Sequence, residues 1–106
     1  MSLDITLIDK NHTVSEVTIT HNLAAMAAEA GLHTAIWNPS ELGAVVAGDI
    51  IKRLSAGLIE LVIDPPHFRR FDAQNGWGTY DQFVALVARY LKACKDYPEA
   101  EIRVVG

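Results

Sequence analysis

The stretch Leu3-Asp4-Ile5-Thr6-Leu7, followed by Asp9-Lys10-Asn11-His12 and then Ser15-Glu16-Val17-Thr18-Ile19, decides how this chain folds. Apolar and polar residues alternate in both flanks, the two-residue period of a strand with one buried face. The polar segment between them has turn chemistry, so the pattern predicts a β-hairpin. At the far end, Glu101-Ile102-Arg103-Val104 follows the breaker Tyr97-Pro98 and reads as a short strand that completes a three-stranded sheet with the hairpin.

Between these strands the period becomes helical. Leu23, Met26, Ala27 and Ala30 form an i, i+3, i+4, i+7 stripe, with Thr20 as a suitable N-cap and Gly31 as a left-handed residue just past the end. A second stripe of Ile50, Ile51, Leu54, Leu58, Leu61 and Val62 stops at Asp64-Pro65-Pro66, where proline denies the chain further helical hydrogen bonds. In the third, Thr79 and Gln82 make a capping box, Phe83, Val87, Tyr90, Leu91 and Cys94 recur at helical spacing, and Lys92 and Lys95 suit the negative C-terminal end.

Asn38-Pro39-Ser40-Glu41 and Asp64-Pro65-Pro66-His67 each have the chemistry of a helical start. After the second, Phe68 and Phe71 lie one turn apart and are placed to fold back as a small lid. The expected architecture is α+β in two layers: a single domain over residues 1–106, its small sheet packed by about three helices.

Composition agrees with one core. The chain has 106 residues, 50% hydrophobic and 21% charged, enough to bury a single apolar interior. A formal charge of −4 gives no long-range attraction for a phosphate backbone or anionic lipid, so neither nucleic acid nor membrane is the expected partner. No apolar stretch approaches the roughly 20 residues of a membrane-spanning helix. The opening Met1-Ser2-Leu3-Asp4 lacks a signal-peptide pattern, and the lone Cys94 suits a reducing compartment, so a cytoplasmic location is expected.

Catalytic and metal chemistry find little support. His12, His21, His33 and His67 include no i, i+4 pair and no HExxH spacing, so neither a metal site nor a cofactor is expected. Convergence of two histidines with Asp81 or Glu29 is the one route to a metal. Cys94 sits on an apolar stripe, where inert packing is favoured over nucleophilic attack. No GxSxG, P-loop or GxGxxG motif is present, and a His21–Asp81 acid–base couple is the only catalytic pairing to consider. No catalytic residue is assigned, and binding is favoured over catalysis.

The candidate ligand site gathers at two helix starts. First-turn amides after Thr20 and after Thr79 lack intrahelical acceptors and attract carbonyl, carboxylate or phosphate oxygen. His21, Asn22, Trp37, Asn75, Trp77 and Tyr80 add hydrogen-bonding groups and flat apolar surface. If the starts converge, they form a pocket for a small polar ligand or a peptide end. The competing reading is packing alone: threonine caps, an Asn75-Gly76 turn, and indoles that close the core. A third possibility is an assembly protein, a homo-oligomer built through sheet edges or through Phe68-Arg69-Arg70-Phe71.

Thr18-Ile19-Thr20-His21-Asn22-Leu23, Met26-Ala27 with Glu29-Ala30-Gly31, Trp37 with Pro39 and Glu41, and Asn75-Gly76-Trp77-Gly78-Thr79-Tyr80 together resemble a family of small uncharacterised proteins encoded by bacteria and their phages. The resemblance spans most of the chain. It implies a phage-related or accessory context and carries no assigned activity or catalytic residue. Thr18 stands where an asparagine often precedes the Thr-His-Asn run in that family.

Overall fold

The computed structural model describes all residues, Met1–Gly106. Strands β1 (Ser2–Asp9) and β2 (His12–Thr20) form the expected hairpin. Its loop is Lys10-Asn11, with φ of 51° and 68°, the pair of positive angles that matches a two-residue turn to the twist of its strands. Strand β3 (Glu101–Val105) adds antiparallel on the other side of β1, giving the order β2-β1-β3.

Alternation sets the two faces. Leu3, Ile5, Leu7, Val17 and Ile19 are buried, whereas Asp4, Glu16 and Thr18 are exposed on the opposite face, where the Thr18 hydroxyl donates to Asp4 Oδ1 at 2.8 Å. Leu7 pairs with Ser15 but Ile8 with Thr13, so Val14 is an extra residue in a β-bulge and packs against the core.

All five helices contribute residues to the core on the apolar side of the sheet, and α5 packs directly on β2. After a 3₁₀ turn at His21–Leu23 come α1 (Ala24–Glu29) and α2 (His33–Trp37), then 3₁₀ turns at Pro39–Leu42 and Ala47–Ile50. The longer helices are α3 (Ile51–Ile63) and α5 (Tyr80–Asp96), with the short α4 (Pro65–Arg69) between them. The fold is thus α+β, as expected, and no helix is long and apolar enough to cross a membrane.

Burial explains the order of importance. Phe83, Val87, Tyr90, Leu91 and Cys94 of α5 join Leu54 and Leu61 of α3 in one cluster with the sheet. Each large side chain in it contributes roughly 1.5 to 3 kcal/mol. Gly57 lets α3 pack against the turn between α1 and α2, because a Cβ there would lie 2.2 Å from Leu32 Cδ2.

Three details differ from expectation. The first helix does not run unbroken from its Thr20 cap; it starts as a tighter 3₁₀ turn because the Thr20 side chain accepts from Asn22 N, one residue earlier than in an α-helical capping box. Helix α2, carrying Trp37, was not anticipated. Phe68 is buried in the core and is not a lid, since α4 turns it inward.

The sheet's edges are unequal. Beside β3, Ala47 N donates to Ala100 O at 2.8 Å and Val46 bridges Glu101, so the Val45–Ala47 segment covers that edge over Ala100–Ile102. Asp49 holds the segment by accepting from Val45 N and Val46 N at 2.9 and 3.1 Å, hydrogen bonds that lower its carboxyl pKa. Nothing pairs with the outer edge of β2.

Candidate functional site

The Thr-His-Asn segment and the Asn-Gly-Trp-Gly loop are spatial neighbours. At the end of β2, His21 N still reaches Met1 O at 3.3 Å, and the chain then turns off the sheet. That turn aims Asn22 at the loop, where its Nδ2 donates to Trp77 O at 2.9 Å. Gly78 lies against it with φ of 106°; a Cβ there would come within 3.0 Å of Asn22 Cβ, so only glycine fits.

The loop is held from several sides. Asn75 Oδ1 accepts from Trp77 N at 2.9 Å, a side-chain turn, and Ala73 N closes the base on Gly78 O at 3.2 Å. Gln82 Oε1 accepts from Gly78 N and Thr79 N at 2.9 and 3.0 Å, while its Nε2 donates to Gly76 O at 3.2 Å. Gln82 therefore serves both the capping box read in the sequence and the loop that carries Trp77.

These contacts also occupy the helix start. Tyr80 N donates to Asp72 Oδ1 at 2.6 Å and Gln82 N to Thr79 Oγ1 at 3.3 Å. With Phe83 N on Thr79 O, only Asp81 N of the first turn of α5 has no acceptor, so the turn does not present the open cluster of amides that its sequence suggests.

Three of the expected site residues come together. Asn22, Asn75 and Trp77 line a cavity of about 730 Å³, with Ile19, Leu23 and Leu86 as its apolar lining. Trp77 stays 70% exposed, so its indole is no plug for the core.

The other three lie outside the cavity's lining. His21 turns to α2, where its Nδ1 sits 3.0 Å from Trp37 Nε1; an indole N–H only donates, so this imidazole nitrogen accepts. Trp37 also stacks on His33, with centroids 4.9 Å apart and planes at 5°. Tyr80 is buried, its hydroxyl donating to Leu61 O at 2.7 Å and tying α5 to α3.

Sequence reasoning missed the far wall. Gln82, Ala85, Leu86 and Arg89 line the cavity from α5 at i, i+3, i+4 and i+7, a stripe beside the core stripe that helical periodicity displays. Arg89 carries the only charged side chain among the lining residues and makes no ion pair. Arg69, Arg70 and Arg103 each face a carboxylate, Asp81 at 2.9 Å, Glu29 at 3.9 Å and Glu101 at 3.4 Å, whereas Arg53 on α3, away from the cavity, makes no ion pair either.

Other candidate groups have structural partners. Asp81 is clasped by both Arg69 guanidinium nitrogens, at 2.9 and 3.2 Å, and so does not pair with His21. Glu29 Oε2 meets His67 Nε2 at 2.6 Å, and no group of three histidine, cysteine or acidic side chains is arranged to hold a metal ion. Cys94 is fully buried, and burial pushes its thiol up to about 12, far from the thiolate a nucleophile needs. Comparison of the chain with protein families, curated proteins and solved structures finds no match.

Proposed function

We propose that this protein is a small binding module that holds a polar ligand or a peptide end in the cavity between β2, the Asn75–Gly78 loop and α5. One observation carries the reading. A largely exposed indole is fixed on a tightly hydrogen-bonded loop, facing the same cavity as an arginine that lacks a carboxylate. Packing needs neither, whereas ligand sites combine apolar surface with a few placed polar groups. Arg89 supplies attraction for an anionic group, Asn22 and Asn75 supply amide donors and acceptors, and Trp77 supplies a flat face. An accessory role of this kind suits the resemblance to small proteins of bacteria and phages.

Titrating the labelled protein with small carboxylates such as N-acetyltryptophan, and following backbone and indole resonances, tests the reading. Shifts centred on Asn22, Asn75, Trp77 and Arg89 are expected. Shifts confined to other faces, or none at millimolar concentrations, would overturn it.

Assembly is the second reading, favoured by a different surface. Ile59, Val62 and Ile63, one turn apart on α3, are 54%, 52% and 69% exposed. Light scattering at micromolar concentration decides it, since a strict monomer removes self-association.

A further inference from the structure

We propose that the groove between the outer edge of β2 and α5 takes an extended peptide, which pairs with β2 as an antiparallel fourth strand and sets an acidic group against Arg89. The inference rests on the reading of this cavity as a binding site.

The backbone supplies the first reason. The bond from His21 N to Met1 O fixes the alternation along the hairpin: Ile19 and Val17 pair with β1 through their backbone groups, so Thr18 and Thr20 direct theirs outward. Both threonines line the cavity. The other edge of the sheet is covered over Ala100–Ile102 by the Val45–Ala47 segment, which leaves β2 as the longer open edge for a strand to add to.

Chain direction supplies the second. Helix α5 starts beside Thr20, where Gly78 packs, and leads into β3, whose Glu101 pairs with Ile8 near the start of β2. It therefore runs antiparallel to β2, and the stripe from Gln82 to Arg89 follows the strand edge backward for roughly 10 Å at the rise of an α-helix. That length matches about three residues of extended peptide. An antiparallel guest would enter beside Trp77 and carry its C-terminal part toward Thr18 and Arg89.

Charge supplies the third. No aspartate or glutamate lines the cavity, although the chain carries a net −4, and Arg89 faces it without a partner. Beyond the cavity the edge passes exposed Glu16, which repels an acid placed further along. The guest is thus an extended segment with an apolar residue near Trp77 and an acidic side chain or terminal carboxylate near Arg89.

Selection from a random seven-residue peptide library, run in parallel on the parent and on Arg89→Gln, tests this. The parent should enrich β-branched sequences with an acid at a fixed position, and Arg89→Gln, which has no ion pair to lose, should keep the parental melting temperature but not the acid preference. For the best peptide, N-methylation of an edge-pairing amide should weaken binding about fivefold and Arg89→Gln about tenfold, the worth of a neutral and of a charge-assisted hydrogen bond. Peptides indifferent to both changes would overturn the proposal. If small carboxylates shift Trp77 and Asn22 but no peptide is enriched, strand addition falls and the binding site stands; if neither binds, both fall.

Discussion

The side chain of Asn22 and the backbone carbonyl of Trp77 are joined at 2.9 Å across 55 positions of sequence. That bond couples the end of the hairpin to the loop before the last helix and so fixes the mouth of the cavity. Asn22→Ala removes the donor at an exposed position and is expected to cost about 1 kcal/mol in urea unfolding. It should also raise the mobility of the Trp77 indole in relaxation measurements; an unchanged indole would show that Gln82 holds the loop alone.

Trp77→Ala separates binding from folding. An indole 70% exposed has little burial to lose, so stability should change by no more than about 0.5 kcal/mol. Ligand-induced resonance shifts should vanish at the same time. A fall of several degrees in melting temperature would instead identify Trp77 as part of the packing.

Tyr90→Phe should stabilise the protein or leave it unchanged. The Tyr90 hydroxyl is buried without a hydrogen-bond partner, and such a group costs about 1 to 3 kcal/mol. Phenylalanine keeps the ring and removes the penalty. Loss of stability on denaturant unfolding would reveal an acceptor for the hydroxyl.

Stability should decline in alkali. Burial raises the Cys94 thiol from 9.0 to about 12, and burial also raises the Tyr90 phenol above its ordinary 10.0. The unfolded chain releases these protons first, so the stabilisation is intact below about pH 9 and is lost as the pH climbs toward 12, at up to roughly 1.4 kcal/mol per pH unit per group. Unfolding curves between pH 8 and 11 check this, and Cys94→Ala should flatten the slope. In the folded protein at neutral pH, Cys94 should react with thiol reagents only as fast as the chain opens.

Elements with a strong local signal were legible in sequence. The hairpin showed through the alternation of Leu3 to Leu7 and Val17 to Ile19, and α5 through its capping box and core stripe. Helix α2 was hidden because its 5 residues are too few to show a period and are fixed by Leu32, Ala35 and Ile36 packing into the core.

The candidate site was half legible. Adjacent residues in a 3₁₀ turn point in directions about 120° apart, so His21 faces Trp37 while Asn22 faces the loop, and sequence alone did not reveal which would line the cavity. Arg89 looked like any solvent-facing cation on a helix. Its significance depends on the cavity it faces having no carboxylate in its lining, which only the packed arrangement displays.

The segment from Val45 to Ala47 also limits how copies of this chain can stack. Indefinite fibril growth through backbone pairing needs a donor and an acceptor margin on every molecule, and here one margin is already blocked along Ala100–Ile102. Two molecules that meet strand to strand through β2 form a closed pair and leave a third only the short Arg103–Val105 remainder of the other margin.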